Sequence, residues 1–233
     1  MTELILKQRS LTIQDVPFVQ ALGRVENDML ILKRSLKGYK LKTPTTVPLA
    51  RVLDVGQKGL VEYIIRSLTS ERPRLIPFVL ENRSLVELAR YFLRYRTGSA
   101  KSLYVYANTI HLYSNWLGYR PDEIIADCKH PQGLPDQAKV RKHARFLEDW
   151  LGEMQDRHLS PGRVNAAAKH VKALYHVNEI DLKLRYSLPG RVTNKDRAPK
   201  PEELQRLIEI GDLREKVIIS MLALGGFREG TLV

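Results

Sequence analysis

Four runs of apolar residues between Leu85 and Tyr175 repeat every three or four positions, and helix-start or helix-stop residues bound them. A period near 3.6 puts such residues on one helix face, so the segment predicts amphipathic helices sharing a core. Ser84 stands as N-cap of the first, with Glu87 three residues on. Leu85, Leu88, Ala89, Phe92 and Leu93 form its apolar face, and Thr97-Gly98 ends it. Ser99 to Leu117 forms the second, with Leu103, Ala107, Ile110, Tyr113 and Leu117 inward and Gly118 as the stop. A loop through Pro121, Pro131, Gly133 and Pro135 leads to a third helix over about 137–154, where Val140, Ala144, Leu147 and Leu151 share a face that Trp150 joins. Ser160 caps the fourth, with Pro161 at the first helical position, where no N–H is needed. Val164, Ala167, Ala168, Val171, Leu174 and Tyr175 face inward.

The flanks are read less directly. Phe18, Leu22, Val25, Met29, Leu32 and Leu36 follow the 4, 3, 4, 3, 4 rhythm of a helical seam, either a short coiled coil or a helix packed on its own domain. Lys33, Arg34, Lys37, Lys40 and Lys42 then run as a basic helix end into the loop Thr43-Pro44-Thr45-Thr46-Val47-Pro48, a candidate DNA-contacting arm. A short helix over Gly59 to Leu68 is followed by Arg72-Pro73-Arg74 and Pro77, which place a boundary near residue 80. Residues 189–200 have the composition of a basic linker. A new helix starts at Pro201, where Glu202 and Glu203 favour its positive end. Val217 to Leu224 is apolar all round, the pattern of a buried helix.

Charge narrows the partner. The 233 residues carry 38 Lys plus Arg against 26 Asp plus Glu, a net charge of +12. The excess is six over residues 1–80 (13 basic, 7 acidic), five over 81–190 (17 and 12) and one over 191–233 (8 and 7). Such an excess draws polyanions by counterion release, nucleic acid foremost. A hydrophobic fraction of 43% argues against global disorder. No apolar run approaches the ~20 residues of a membrane span, no secretory signal opens the chain, and Cys128 has no second cysteine to pair with. These point to an intracellular protein of the cytoplasm or nucleoid. Histidines and Cys128 show no metal-ligand spacing and no G-x-x-x-x-G-K loop is present, so neither metal nor other cofactor is expected.

In order and spacing, these signals resemble the tyrosine recombinase (phage integrase) family over roughly Ser84 to the end. Ser99-Ala100-Lys101-Ser102-Leu103 through Trp116-Leu117-Gly118 is similar to the first helix pair of its core-binding domain, and His158-Leu159-Ser160-Pro161 through Tyr175 to that domain's later Leu-Ser-Pro helix. Lys200-Pro201-Glu202-Glu203-Leu204 resembles the Thr-Pro-Glu-Glu helix that opens the catalytic domain, with Lys200 in place of threonine. Leu224-Gly225-Gly226-Phe227-Arg228-Glu229-Gly230 resembles the box of the first catalytic arginine, commonly Thr-Gly-Leu-Arg. Gly226-Phe227 and Gly230 depart from that box, as in a divergent branch, archaeal or viral.

The resemblance implies a mainly α fold: a basic N-terminal region over 1–80, with a possible arm-binding or dimerisation helix, and a helical, SAM-like four-helix core-binding domain over 81–188. The linker over 189–200 and the start of a catalytic domain over 201–233 follow. The family breaks and rejoins DNA through a tyrosine, and guanidinium groups hold the charge that grows on the phosphate. Arg228 is by resemblance the first of these arginines. Five residues follow it, and the family's remaining catalytic groups lie further downstream, so this chain is expected not to cleave DNA alone. Its partner would be double-stranded DNA, with self-association on it and no membrane. Lys101, Ser102, Arg163, Asn165, Lys169, Lys172, Arg191, Lys195 and Arg197 are the candidate DNA contacts. Rival readings are a non-catalytic DNA-binding regulator of recombination and a helical scaffold for acidic proteins.

Overall fold

In the computed structural model, which describes residues 15–36, 39–41, 44–69, 72–96, 98–186, 199–223 and 225, the seam expected over 14–36 is not one helix. A short helix α1 (Val16–Leu22) gives way to a hairpin of β1 (Gly23–Glu26) and β2 (Met29–Leu32), with Glu26 opposite Met29. Asn27 and Asp28, both with positive φ (48° and 60°), form the two-residue turn. Both types tolerate that conformation, and it matches the strand twist. Alternate burial along Met29-Leu30-Ile31-Leu32 is strand-like, so the helical spacing coincided with a period of two. Gly23 is needed at the bend, because a Cβ there would run into the Ile31 carbonyl. β5 (Thr46–Pro48) adds antiparallel to β2, while β3 (Ser35–Leu36) and β4 (Tyr39–Lys40) form a separate ladder where a basic helix end was expected.

Eight helices follow among the described residues of the same unit, Met1–Arg191. They are α2 (Leu49–Asp54), α3 (Lys58–Thr69), α4 (Leu75–Glu81), α5 (Arg83–Tyr95), α6 (Ala100–Leu117), α7 (Pro121–Asp127), α8 (Gln137–Asp156) and α9 (Pro161–Val177). The chain is mainly α. One buried cluster runs from Leu30 and Val47 through Ile64, Leu68 and Ile76 to Leu103, Ile110, Leu147 and Val171. Packing is therefore continuous across residue 80, where the sequence placed a boundary; α3 lies on α6 and α4 on α5.

The inward faces expected of α6, α8 and α9 are buried, apart from half-buried Leu117. The start of α5 differs. Asn82, not Ser84, is its N-cap, and Ser84 is helical with a buried hydroxyl. Asp122 of α7 supplies the cap instead, accepting from the N–H groups of Arg83 (2.9 Å) and Ser84 (2.8 Å). α7 itself stands where a proline loop was expected: Pro121 opens it, and Glu123 accepts from the Arg120 N–H.

The second unit, Val192–Val233, contains α10 (Pro201–Ile210) and α11 (Leu213–Ala223). Glu203 accepts from the Lys200 N–H at 2.8 Å, and at the start of α11 the backbone N–H groups of Asp212 and Glu215 each donate to the other's side-chain carboxylate. No residue of α11 is buried, contrary to the burial expected over 217–224; Val217 is 50% exposed. Among the described residues of its unit, α11 has one neighbouring helix, α10, too little to enclose the apolar stretch from Val217.

Candidate nucleic-acid interface

α6 and α9 run in the same direction. Thr109 meets His170, 61 positions on, and Tyr113 lies beside Tyr175 further along both helices. Their N-terminal ends, carrying Lys101-Ser102 and Arg163-Asn165, therefore share one end of the bundle. α5 is antiparallel to α9, since Asn178 just after α9 donates to the carbonyl of Ser84 at the start of α5. The C-terminal end of α5, with Arg94 and Arg96, thus falls toward that same end.

Lys101, Arg163, Lys169, Lys172, Arg94 and Arg96 are exposed, and none enters an ion pair among the described residues. Neither Ser99 nor Ser160 caps its helix with its side chain, leaving the positive helix ends at this patch. Asn165, Lys169, Lys172 and His176 follow a 4, 3, 4 spacing down one stripe of α9. Arg163, nine residues from Lys172, lies across the helix axis from it, so the two cannot grip the same phosphate. Arg191, Lys195, Arg197 and Arg228 lie outside the described residues.

Between α5 and α9 the surface opens into a cleft of about 310 Å³, lined by Tyr91, Phe92, Arg96, Tyr106, Lys169, Lys172 and His176 among others. Tyr106 packs edge-on to Phe92 at 4.7 Å and lies 4.0 Å from the His170 ring. The Thr109 hydroxyl donates to the Val105 carbonyl, so its oxygen accepts from His170 Nδ1–H at 2.9 Å. Burial, with Lys169 beside it, pushes His170 down to about 4, leaving it neutral. Burial also raises the Tyr106 phenol, against the lesser pull of Arg96.

The α5 contribution was missed in the sequence, although Arg90-Tyr91-Phe92-Leu93-Arg94-Tyr95-Arg96 alternates cations and aromatics, a nucleic-acid-binding pattern. The apolar stripe of the same helix, Leu85, Leu88, Ala89 and Phe92, is the stronger pattern there. Arg90 is ion-paired with Glu87 at 2.6 Å, whereas Arg94 and Arg96 enter no ion pair among the described residues.

A second polar cluster joins α7, α8 and α9. His143 is 2% exposed, with Nε2 3.0 Å from Asp127 Oδ2 and Nδ1 3.0 Å from the Tyr175 hydroxyl. A carboxylate only accepts, so Nε2–H donates to Asp127, and in the neutral ring Nδ1 accepts from Tyr175 O–H. Desolvation lowers the His143 pKa against the opposing pull of Asp127, whose own carboxyl the His143 hydrogen bond holds below its ordinary range. The trio has the outline of an activated nucleophile. Yet Tyr175 is fully buried, and burial drives its phenol upward, away from the phenolate. Cys128 is buried, its thiol pushed up to about 12 by desolvation, then by Asp127. This cluster holds three helices together.

No helix among the described residues is long and apolar enough to cross a membrane, and no group of three or more His, Cys, Asp or Glu among them could hold a metal. No family model, curated protein or solved structure matches the chain.

Proposed function

We propose that the chain binds duplex DNA as the front portion of a tyrosine site-specific recombinase. One observation carries the DNA reading: cations from α5, α6 and α9 stand without an ion pair among the described residues at one end of the bundle, beside two helix N-termini. The recombinase reading rests on the order of sequence motifs, from the Ser99 and Ser160 helices through Pro201-Glu202-Glu203 to Arg228. Exposed Leu207, Leu213 and Val217 on α10 and α11 suit the opening helices of a larger catalytic domain. Under this reading, 189–200 tracks the DNA backbone, Arg228 is the first arginine to grip the scissile phosphate, and copies of the chain associate on DNA.

The test is fluorescence anisotropy with a labelled mixed-sequence duplex over a salt series. Six phosphate contacts give a slope of log affinity on log salt of about −5. Absence of binding at low salt removes both DNA readings and leaves the scaffold. Sequencing the gene past codon 233 then separates them: an in-frame second arginine box and late tyrosine support a recombinase, and a stop codon supports a regulator.

A further inference from the structure

We infer that the α5/α9 cleft holds one unpaired nucleotide of single-stranded nucleic acid; this rests on the nucleic-acid reading above and names a further ligand class for the same face. Duplex phosphates need only surface cations. This cleft offers more. Its floor is apolar, with Phe92 and Ile180 buried and Val177 half-buried, and the phenols of Tyr91 and Tyr106 stand in its walls. Paired bases in a stacked duplex keep their faces covered, whereas an unpaired base exposes a π-face that stacks on aromatic rings.

Size and charge agree with that occupant. A volume of about 310 Å³ lies at the small end of the range for organic ligands, about 300 to 1,000 Å³. Arg96, Lys169 and Lys172 surround the cleft with donors for one phosphate, and the Arg96 guanidinium lies over the Tyr91 ring, 5.7 Å from its centre. Asp181, the acidic member of the lining, is paired with Lys183 at 3.1 Å, which lessens its repulsion of a phosphate. The base thus lies against Tyr91 and Tyr106 while its phosphate meets the lysines of α9.

The experiment compares the full chain's binding of labelled dT12 and of a 12-base-pair duplex. Tyr91→Ala should weaken dT12 binding about tenfold, Tyr91→Phe should restore it, and the duplex affinity should move less than about twofold for either. Bromodeoxyuridine placed in the single strand should crosslink to Tyr91 or Tyr106, a readout that needs no variant. Duplex binding with no Tyr91 dependence for dT12 and no crosslink overturns the cleft assignment and leaves the duplex reading intact. Binding of neither nucleic acid overturns both.

Discussion

The bundle contains two clusters built from the same residue types, histidine, tyrosine and lysine, and they are wired in opposite ways. In the first, Tyr175, His143 and Asp127 form a chain of hydrogen bonds, and Lys139 and Lys142 close on Asp127 at 3.5 and 4.0 Å. Its charges have partners within the protein. In the second, His170 and Tyr106 are neutral and buried or half-buried, while Lys169, Lys172 and Arg96 surround an open cleft and form no ion pair among the described residues, the lining carboxylate Asp181 being paired with Lys183. The difference separates structure from recognition: polar groups with internal partners fix helices, and cations left without them wait for an anion.

The largest expected effect breaks the closed cluster. Tyr175→Ala removes a fully buried ring and the donor to His143, costing about 4 kcal/mol of stability while the folded fraction keeps its DNA affinity. Urea unfolding checks this, and a loss below about 1 kcal/mol would contradict the structural role. Next is acid. His170 falls from 6.5 unfolded to about 4 folded, so between those pH values the unfolded chain binds a proton that the folded chain refuses. Stability is complete above pH 6.5 and declines toward pH 4, by about 3 kcal/mol from this group. His143 shifts in the same direction, but Asp127 opposes the shift, so His170→Gln should flatten the pH dependence of the urea midpoint more than His143→Gln. The reverse ranking would mean the two clusters are not wired as described.

The third prediction bears on the open cluster. Lys169→Ala with Lys172→Ala should reduce duplex affinity at least about tenfold, and make the salt slope about 2 shallower, as two lost phosphate contacts require. Stability should change by less than about 0.5 kcal/mol, since both side chains are exposed. Equal affinity for the double variant and the parent would move the DNA face elsewhere.

Legibility followed the range of the forces. α6, α8 and α9 were readable because their faces and start signals are local, as with Ser160-Pro161. Asp122 capping α5 from 38 positions away leaves no local trace, and Ser84-Glu87 imitated a capping box instead. The hairpin at Asn27-Asp28 was written in turn chemistry, but an apolar stretch that also suited a helical rhythm outweighed it. α11 shows that an all-round apolar helix demands burial without specifying where its cover comes from. In the candidate site, Lys169 and Lys172 were readable as polar positions on an amphipathic helix. Tyr91 and Arg96 were not, because their approach to α9 is set by the antiparallel packing of α5.

The smallest expected effect sharpens the comparison most. Lys139 and Lys142 on α8 carry the same charge as Lys169 and Lys172, and Lys142 is exposed as they are while Lys139 is half-buried, so a purely long-range attraction would treat the four much alike. Asp127 already pairs with both α8 lysines and offsets one of their two charges, and Lys142 further lies 5.4 Å from the Phe146 ring centre. A phosphate would have to displace a carboxylate to reach them. Lys142→Ala should therefore change duplex affinity by less than about twofold, and stability by under about 1 kcal/mol, as exposed ion pairs do. Asp127→Asn provides the complement: it frees both lysines, and if internal pairing is what keeps α8 silent, the variant binds duplex more tightly than the parent at low salt, and an unchanged affinity would refute that account.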